Sequence, residues 1–160
     1  AAIPTTGRIP NAMEIALVIM PARRERPLIY TGQEIGLNRR LEFFEKDSIV
    51  ELVDTEYGKE YRDFYKKLTS FRHNNAALAA GADVAPAQFV EDVPESVLAF
   101  VREKGDNTVL CAFNFSAEPT SFVVSEAIAG DYTRACGQAK SLKPGDVVEL
   151  PAWGFMLLSK

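Results

Sequence analysis

Hydrophobic and polar positions follow two different periods in the two halves of the chain. Aromatic and aliphatic residues recur every three or four positions from Tyr57 to Phe71, and charged residues fill the opposite face. This period predicts an amphipathic helix that ends at Asn74-Asn75. A shorter stretch from Ala12 to Met20 is apolar on every face, which predicts a helix that is covered on most sides.

A short, continuously apolar run lies between these two helices. It comprises Leu28, Ile29 and Tyr30, and it is bounded by Pro27 and Gly32. Such a run is typical of a strand buried on both faces, as in a parallel sheet. A parallel strand needs neighbouring strands and crossover connections. Because the first 79 residues supply none, we expect this strand to pair with another molecule or to end a longer polypeptide.

From about residue 80 the hydrophobic period changes to two. Strands are predicted at Val97 to Arg102 and Thr108 to Phe115, joined by a turn at Gly105-Asp106-Asn107. Because both faces of these strands are apolar, we expect them to be central and buried. Further short strands are predicted at residues 88–90, 120–124, 132–135, 147–150 and 154–158. The predicted fold class is therefore mainly β, an antiparallel β-sandwich of Greek-key type preceded by a partial α/β unit of helix, strand and helix.

Composition and charge restrict the possible partners and cofactors. The chain of 160 residues is 47% hydrophobic and 25% charged, as in soluble globular proteins, and its net charge is -4. Without a clustered basic surface we expect no nucleic-acid partner, and no apolar run reaches the roughly 18 residues of a membrane span. Cys111, Cys136 and His73 lack metal-ligand spacing, so no metal or other cofactor is predicted in this chain. Two buried thiols are the favoured interpretation, and a disulfide between them is left open.

The segments "PLIYTGQEIGLNRRLEFFEKD" and "YRDFYKKLTSFRHNNAAL" carry a resemblance to a known family. Together they resemble the end of the catalytic barrel in glycoside hydrolase family 13, the α-amylase family. In that family the eighth barrel strand typically reads Gly-x-Pro-hydrophobic-hydrophobic-Tyr-x-Gly-x-Glu, and the following helix ends in Leu-x-x-x-Arg-x-x-Asn-x-x-Leu. The family's Gly before the strand is Glu25 here, and its Pro after the helix Asn is Ala76. The residues that match the two patterns are Pro27, Tyr30, Gly32 and Glu34, then Leu68, Arg72, Asn75 and Leu78.

The resemblance implies a division of the chain and a location for its polar residues. Residues 1–79 would be the remnant of the last βα units of a (β/α)8 barrel, a TIM barrel, and residues 80–160 the C-terminal antiparallel β-sandwich domain. The C-terminal ends of barrel strands open onto the active-site face. A competing interpretation is that Gln33 and Glu34 only hydrogen-bond neighbouring loops. The residues that the resemblance places at or near the substrate rim are Gln33, Glu34, Asn38, Arg39 and Arg40.

The resemblance also implies that the catalytic groups lie upstream of Ala1. Retaining glycosidases need two carboxylates about 5 Å apart. The family carries them on the fourth and fifth barrel strands, with a third Asp in an Asn-His-Asp motif that this chain lacks. We therefore expect no catalytic residue here and no activity from this chain alone. The loop acids are interpreted as solvated surface: Glu42, Glu45, Asp47, Glu51 and Asp54.

The expected function is that of the C-terminal part of an α-amylase-type glycoside hydrolase. Its substrates would be α-glucans such as starch, glycogen and maltooligosaccharides, bound through the parent protein, in which calcium is left open. One alternative is a non-catalytic scaffold or transporter-partner relative. Another is a carbohydrate-binding β-sandwich that uses Trp153 or Tyr132 as a stacking platform. We also expect the isolated chain to self-associate through the apolar faces of its first helix and of residues 28–30.

Overall fold

The computed structural model describes residues 15, 16, 19, 27–37, 39–42, 47–49, 53–81 and 84–160. Its long helix, α1 (Glu56–Asn74), begins after Thr55, whose side-chain oxygen accepts a hydrogen bond from the Gly58 N–H at 3.0 Å. The helix ends where Asn75 adopts an extended backbone conformation. The predicted amphipathic helix is confirmed, because the buried face carries the expected residues: Tyr61, Tyr65, Leu68 and Phe71.

The remaining described residues form mainly antiparallel β-structure, which confirms the predicted fold class. Six of the strands form one sheet in the order β1-β2-β3-β8-β5-β6, and β4 pairs with β7 in a second sheet. Short 3-10 turns lie at Gln33–Ile35, Ala76–Leu78 and Glu126–Ile128. The strands are β1 (Gln88–Phe89), β2 (Val97–Lys104), β3 (Asn107–Asn114), β4 (Thr120–Val123), β5 (Gly130–Arg134), β6 (Ala139–Leu142), β7 (Val147–Leu150) and β8 (Phe155–Ser159). The hydrophobic pattern did not indicate β6.

The central strands β2, β3 and β8 contribute to two separate cores, one on each face of the six-stranded sheet. On one face, side chains such as Phe100 and Phe113 pack against α1 and against Ile15 and Ile19. On the other face, Leu110 and its neighbours pack against β4 and β7. The six-stranded sheet is therefore the middle of three layers. This arrangement confirms that the two strands with apolar residues on both faces are central and buried.

The strand predicted at residues 27–30 is not formed. Leu28 and Tyr30 are 83% and 66% exposed, and only Ile29 of the run packs against the helix-side core. A parallel strand needs neighbours on both sides for its hydrogen bonds. Among the described residues no strand pairs with this run, so it does not become part of a sheet.

The first predicted helix is described at three positions. Ile15, Ala16 and Ile19 are helical and buried in the core between α1 and the sheet. The other positions of that prediction, including its ends, lie outside the described residues, as does Glu25. Within the ranges that are described, no helix has both the length and the apolar character to cross a membrane.

The two cysteines are free thiols in different surroundings. Cys111 is fully buried in β3, and this burial raises the pKa of its thiol. Cys136 is exposed in the turn between β5 and β6. The prediction of a buried thiol is therefore right for Cys111 and wrong for Cys136, and the disulfide left open by the sequence is not formed. The turn residues around Cys136 are polar or small, so no apolar side chain among them shields its thiol from solvent.

Candidate functional site

The turn that follows Tyr30 depends on two glycines in the left-handed backbone region. Gly32 has a φ of 94° and Gly36 a φ of 67°. A Cβ atom on Gly32 would lie 2.7 Å from Cδ2 of Leu37, and one on Gly36 would lie 2.7 Å from the hydroxyl oxygen of Tyr57. Both the backbone angle and the available space therefore require glycine. The turn is thus fitted closely against the first turn of α1.

Gln33 and Glu34 hold this turn together. The Gly32 N–H donates to Oε2 of Glu34 at 2.9 Å, and the Tyr30 N–H donates to Oε1 of Gln33 at 3.3 Å. Gln33 also donates from Nε2 to the hydroxyl oxygen of Tyr65 on α1 at 3.0 Å. These contacts agree with the competing interpretation, in which the two side chains hydrogen-bond neighbouring segments. Both side chains are half-buried.

Arg39 forms a bidentate ion pair with Asp47. Its Nη1 and Nη2 atoms lie 2.5 Å and 2.7 Å from the two carboxylate oxygens of Asp47. Nη2 also donates to the Ser48 carbonyl at 2.8 Å, and the Glu42 N–H donates to Asp47 at 3.0 Å. The fork geometry of a guanidinium suits such paired bonds. Asp47 is therefore a structural partner of Arg39. The prediction from the sequence that it is a solvated loop acid is wrong.

The structure brings together only some of the five residues predicted at the substrate rim. Gln33 and Glu34 lie in one turn, and Arg39 lies in the ion pair with Asp47. Arg40 is exposed, and Asn38 lies outside the described residues. Of the loop acids predicted to be solvated, Glu42 and Asp54 are exposed, whereas residues 45 and 51 are not described.

The ion pair with Arg39 should lower the pH at which Asp47 titrates. Hydrogen bonds from Arg39, with a smaller contribution from the Glu42 N–H, lower the pKa of Asp47 from 3.8 to about 2. A lowered pKa in the folded chain stabilises that state above pH 3.8, and this contribution is lost as the pH falls toward about 2. We expect the Asp47 carboxyl carbon to titrate near pH 2 by NMR, and an Arg39→Ala variant to move this titration toward 3.8. Unchanged titration in the variant would contradict the pairing.

The end of α1 is joined to the β2–β3 hairpin through two asparagine side chains. Asn75, which is buried, donates to the Phe71 carbonyl at 2.6 Å. Asn107 donates to the side-chain oxygen of Asn75 at 2.9 Å and accepts a hydrogen bond from the Ala77 N–H at 3.0 Å. The family pattern drew attention to Asn75. Sequence reasoning treated Asn107 only as a turn residue, and its partner is 32 positions away.

The other matched residues of the helix pattern also make packing or hydrogen-bonding contacts. Leu68 and Leu78 are buried in the core between α1 and the sheet. Arg72 donates from Nη1 to the Ile19 carbonyl at 3.0 Å, and burial lowers the pKa of its guanidinium. Ala76, which stands where the family has Pro, begins the 3-10 turn Ala76–Leu78. The pattern therefore marks the residues that attach this helix to its neighbours.

Neither a metal site nor a Tyr132 stacking platform is present in the part of the chain that is described. No group of three or more His, Cys, Asp or Glu side chains there could hold a metal ion. Tyr132 is buried, donates from its hydroxyl to the Ile128 carbonyl at 3.1 Å, and has the Lys160 amine 4.6 Å from its ring centroid. Trp153 is half-buried, on a left-handed backbone with φ of 54°. Tyr132 therefore cannot serve as an exposed platform for sugar rings.

Comparison with known proteins gives a family match for the β part of the chain. Residues 87–157 match the profile of the maltogenic amylase C-terminal domain family. No curated protein sequence matches the chain.

Several solved structures share the fold over nearly the whole chain. A noncanonic maltogenic alpha-amylase from Thermotoga neapolitana is 19% identical with a TM-score of 0.70, over 93% of this chain and 36% of that one. An alpha-amylase from Anoxybacillus is 20% identical with a TM-score of 0.65, over 92% and 31%. The alpha-amylase of Geobacillus thermoleovorans, solved with acarbose, is 17% identical with a TM-score of 0.62, over 92% and 32%. The chain therefore spans about a third of the length of these structures.

Proposed function

We propose that this chain, whose residues 87–157 match the maltogenic amylase C-terminal domain family, is the C-terminal segment of a glycoside hydrolase family 13 protein, and that its parent is an α-amylase-type hydrolase acting on α-glucans. Starch, glycogen and maltooligosaccharides are the proposed substrates. The maltogenic family profile and the amylase names of the similar structures support this substrate class. The proposed role of this segment is to stabilise the barrel and to complete part of its substrate rim.

The core shared by helix and sheet carries the stabilising role. Ile15, Ile19 and the apolar face of α1 pack with Phe100 and Phe113 of the sheet in one buried cluster. The hydrogen bond that Asn107 donates to the side chain of Asn75 lies at the same interface. Burial of apolar surface is the main favourable term in such an association. The β-sandwich would therefore hold the last barrel helix in place.

The proposed rim consists of two groups with different tasks. Gln33 and Glu34 fix the turn between the two glycines, so they would set the path of the rim backbone. Arg39, through Asp47, would hold the following loop, and the exposed Arg40 would contact the glucan. Asn38 is proposed as a further rim residue. None of these residues is proposed as catalytic. The catalytic carboxylates belong to barrel strands outside this segment.

We expect a clear difference in activity between the parent and this segment. The parent protein should hydrolyse a chromogenic maltoside, whereas the purified 160-residue chain should give no turnover above a buffer blank. The reason is that hydrolysis with retention needs two carboxylates about 5 Å apart. Clear turnover by the 160-residue chain would refute its proposed inactivity. A parent that binds glucans without turnover would favour the scaffold alternative.

Carbohydrate binding by the β-sandwich and self-association of the isolated chain are two further proposals. Of the two aromatic residues considered for a carbohydrate-binding role, Trp153 remains, since Tyr132 is buried. Migration retarded by glycogen in affinity electrophoresis would favour that role. Self-association of the isolated chain rests on the exposed Leu28 and Tyr30, because the described residues of the first helix are already covered.

A further inference from the structure

A groove of about 350 Å³ lies between α1 and β8, beside the end of β5. It exists because β5 runs beside only the last part of β8. β5 pairs with Ser159 and Leu158, and one further hydrogen bond joins the Ala135 N–H to the Leu157 carbonyl at 3.1 Å. The chain then turns away toward β6. Phe155, at the start of β8, therefore has β3 on one side and the groove on the other.

The floor of this groove is apolar. Phe64 and Leu68 come from α1, and Phe155 and Leu157 come from β8. The rings of Phe64 and Phe155 meet edge to face, with centroids 6.1 Å apart, and both residues are only half-buried. Apolar clefts of roughly 300–1,000 Å³ with a few polar groups are the usual form of small-ligand sites. The groove thus has the size and the floor of such a site.

The two cationic side chains of the groove stand on opposite walls. Lys67 comes from α1 and Arg134 from the end of β5, and both are exposed. The lining residues that the structure describes include no carboxylate. The groove is therefore locally positive on a chain whose net charge is -4. A ligand that carries a negative charge would complement it.

We propose that this groove binds a small amphipathic carboxylate. Its alkyl or aryl body lies on the floor formed by Phe64, Phe155 and their neighbours, and its carboxylate lies between Lys67 and Arg134. A guanidinium matches the two oxygens of a carboxylate, and the ammonium adds a point charge. A neutral sugar fits less well, because its hydroxyl groups would lose hydrogen bonds to water over an apolar floor.

Octanoate titrated calorimetrically into the 160-residue chain tests this site. We expect saturable binding at one site, and weaker binding of 1-octanol, which has the same tail without the charge. The K67E/R134E double variant should bind octanoate about tenfold more weakly or worse, since charge-assisted hydrogen bonds are lost. The matched control, K66E/K140E, makes the same change of charge outside the groove and should bind like the unsubstituted chain. No saturable binding, equal binding of octanol, or equal loss in both double variants would overturn the proposal.

The exposed thiol at the edge of the groove gives a second measurement that locates the ligand. Cys136 lines the groove, whereas Cys111 is fully buried, so iodoacetamide should modify Cys136 alone in the folded chain. Saturating octanoate should slow this alkylation in the unsubstituted chain and in K66E/K140E. An unchanged rate under saturating octanoate would place the ligand elsewhere and overturn the assignment. Neither measurement depends on the glucan activity of the parent.

Discussion

Replacement of Gly154 by alanine is expected to lower the free energy of unfolding by about 3 kcal/mol, the upper part of the range for overpacked sites. The new Cβ would lie 2.6 Å from Cγ and Cδ of Pro151 and 2.8 Å from the Pro151 carbonyl oxygen. A proline ring and a backbone oxygen cannot rotate away as a flexible side chain can. The Gly154 N–H donates to the Pro151 carbonyl at 2.8 Å, and the Gly154 carbonyl accepts from the Asn114 N–H at 2.9 Å, so a backbone shift would strain both bonds.

Urea unfolding followed by circular dichroism measures this effect, with Gly137→Ala as the matched control. Gly137 has a φ of 88°, but a Cβ there would meet no atom within 4 Å. Its replacement should therefore show only the cost of a left-handed backbone, about 1 kcal/mol. Equal losses in the two variants would contradict the packing explanation for Gly154.

Replacement of Asn114 by alanine should also lower the free energy of unfolding by about 3 kcal/mol, since three hydrogen bonds to a buried side chain are lost. Asn114 is fully buried at the end of β3. Its amide nitrogen donates to the carbonyls of Glu118 and Pro151 at 2.8 Å and 2.9 Å, and its oxygen accepts from the Ser116 N–H at 3.0 Å. Alanine would leave these three backbone groups without the bonds that the side chain provides.

An asparagine on the surface provides the control for this substitution. Asn74 is exposed at the end of α1, and its replacement by alanine should change the free energy of unfolding by less than about 0.5 kcal/mol. Both variants are to be compared by urea unfolding at the same pH. If Asn114→Ala loses no more stability than Asn74→Ala, the three hydrogen bonds do not stabilise the fold.

Elements whose partners are local could be predicted from the sequence. α1 was predicted from its own period of apolar residues, whereas its N-cap, Thr55, was not. The β2–β3 hairpin is similar, because its strands are adjacent in sequence and are joined at Gly105-Asp106. Apolar residues on both faces of these strands also predicted that both faces are covered. The elements that cover each face of these strands could not be predicted, since they depend on the order of strands that are distant in sequence.

Two segments, residues 27–30 and β6, were predicted incorrectly. Residues 27–30 have the composition of a buried strand, but composition cannot supply the neighbouring strands that such a strand needs. β6 was missed although its partner β5 is adjacent in sequence, because Ala139–Leu142 has weak strand propensity. In both segments the residue types suggest a different structure from the one that strand pairing produces.

The hydrogen-bond partners of the candidate-site side chains could not be predicted from the sequence either. The residue types of Gln33, Glu34 and Arg39 marked a polar segment after an apolar run. Their partners, such as Tyr65 for Gln33, lie up to 32 positions away and carry no local signal. Asn114 was missed because one polar residue in an apolar run looks like the end of a strand. Its role depends on loop carbonyls that the sequence cannot bring together.

The six-stranded sheet is covered by α1 on one face and by β4 and β7 on the other. This arrangement limits how the β-sandwich can be exchanged between proteins. A domain cut at residue 80 would keep β4 and β7 but would remove α1, which covers Phe100, Phe113 and Leu157. A chimera that joins only the sandwich to another barrel would therefore expose half of its core unless the new barrel offers a helix with a matching apolar stripe. The transferable unit is the sandwich together with the helix before it, and we expect recombination points that preserve function to fall before α1.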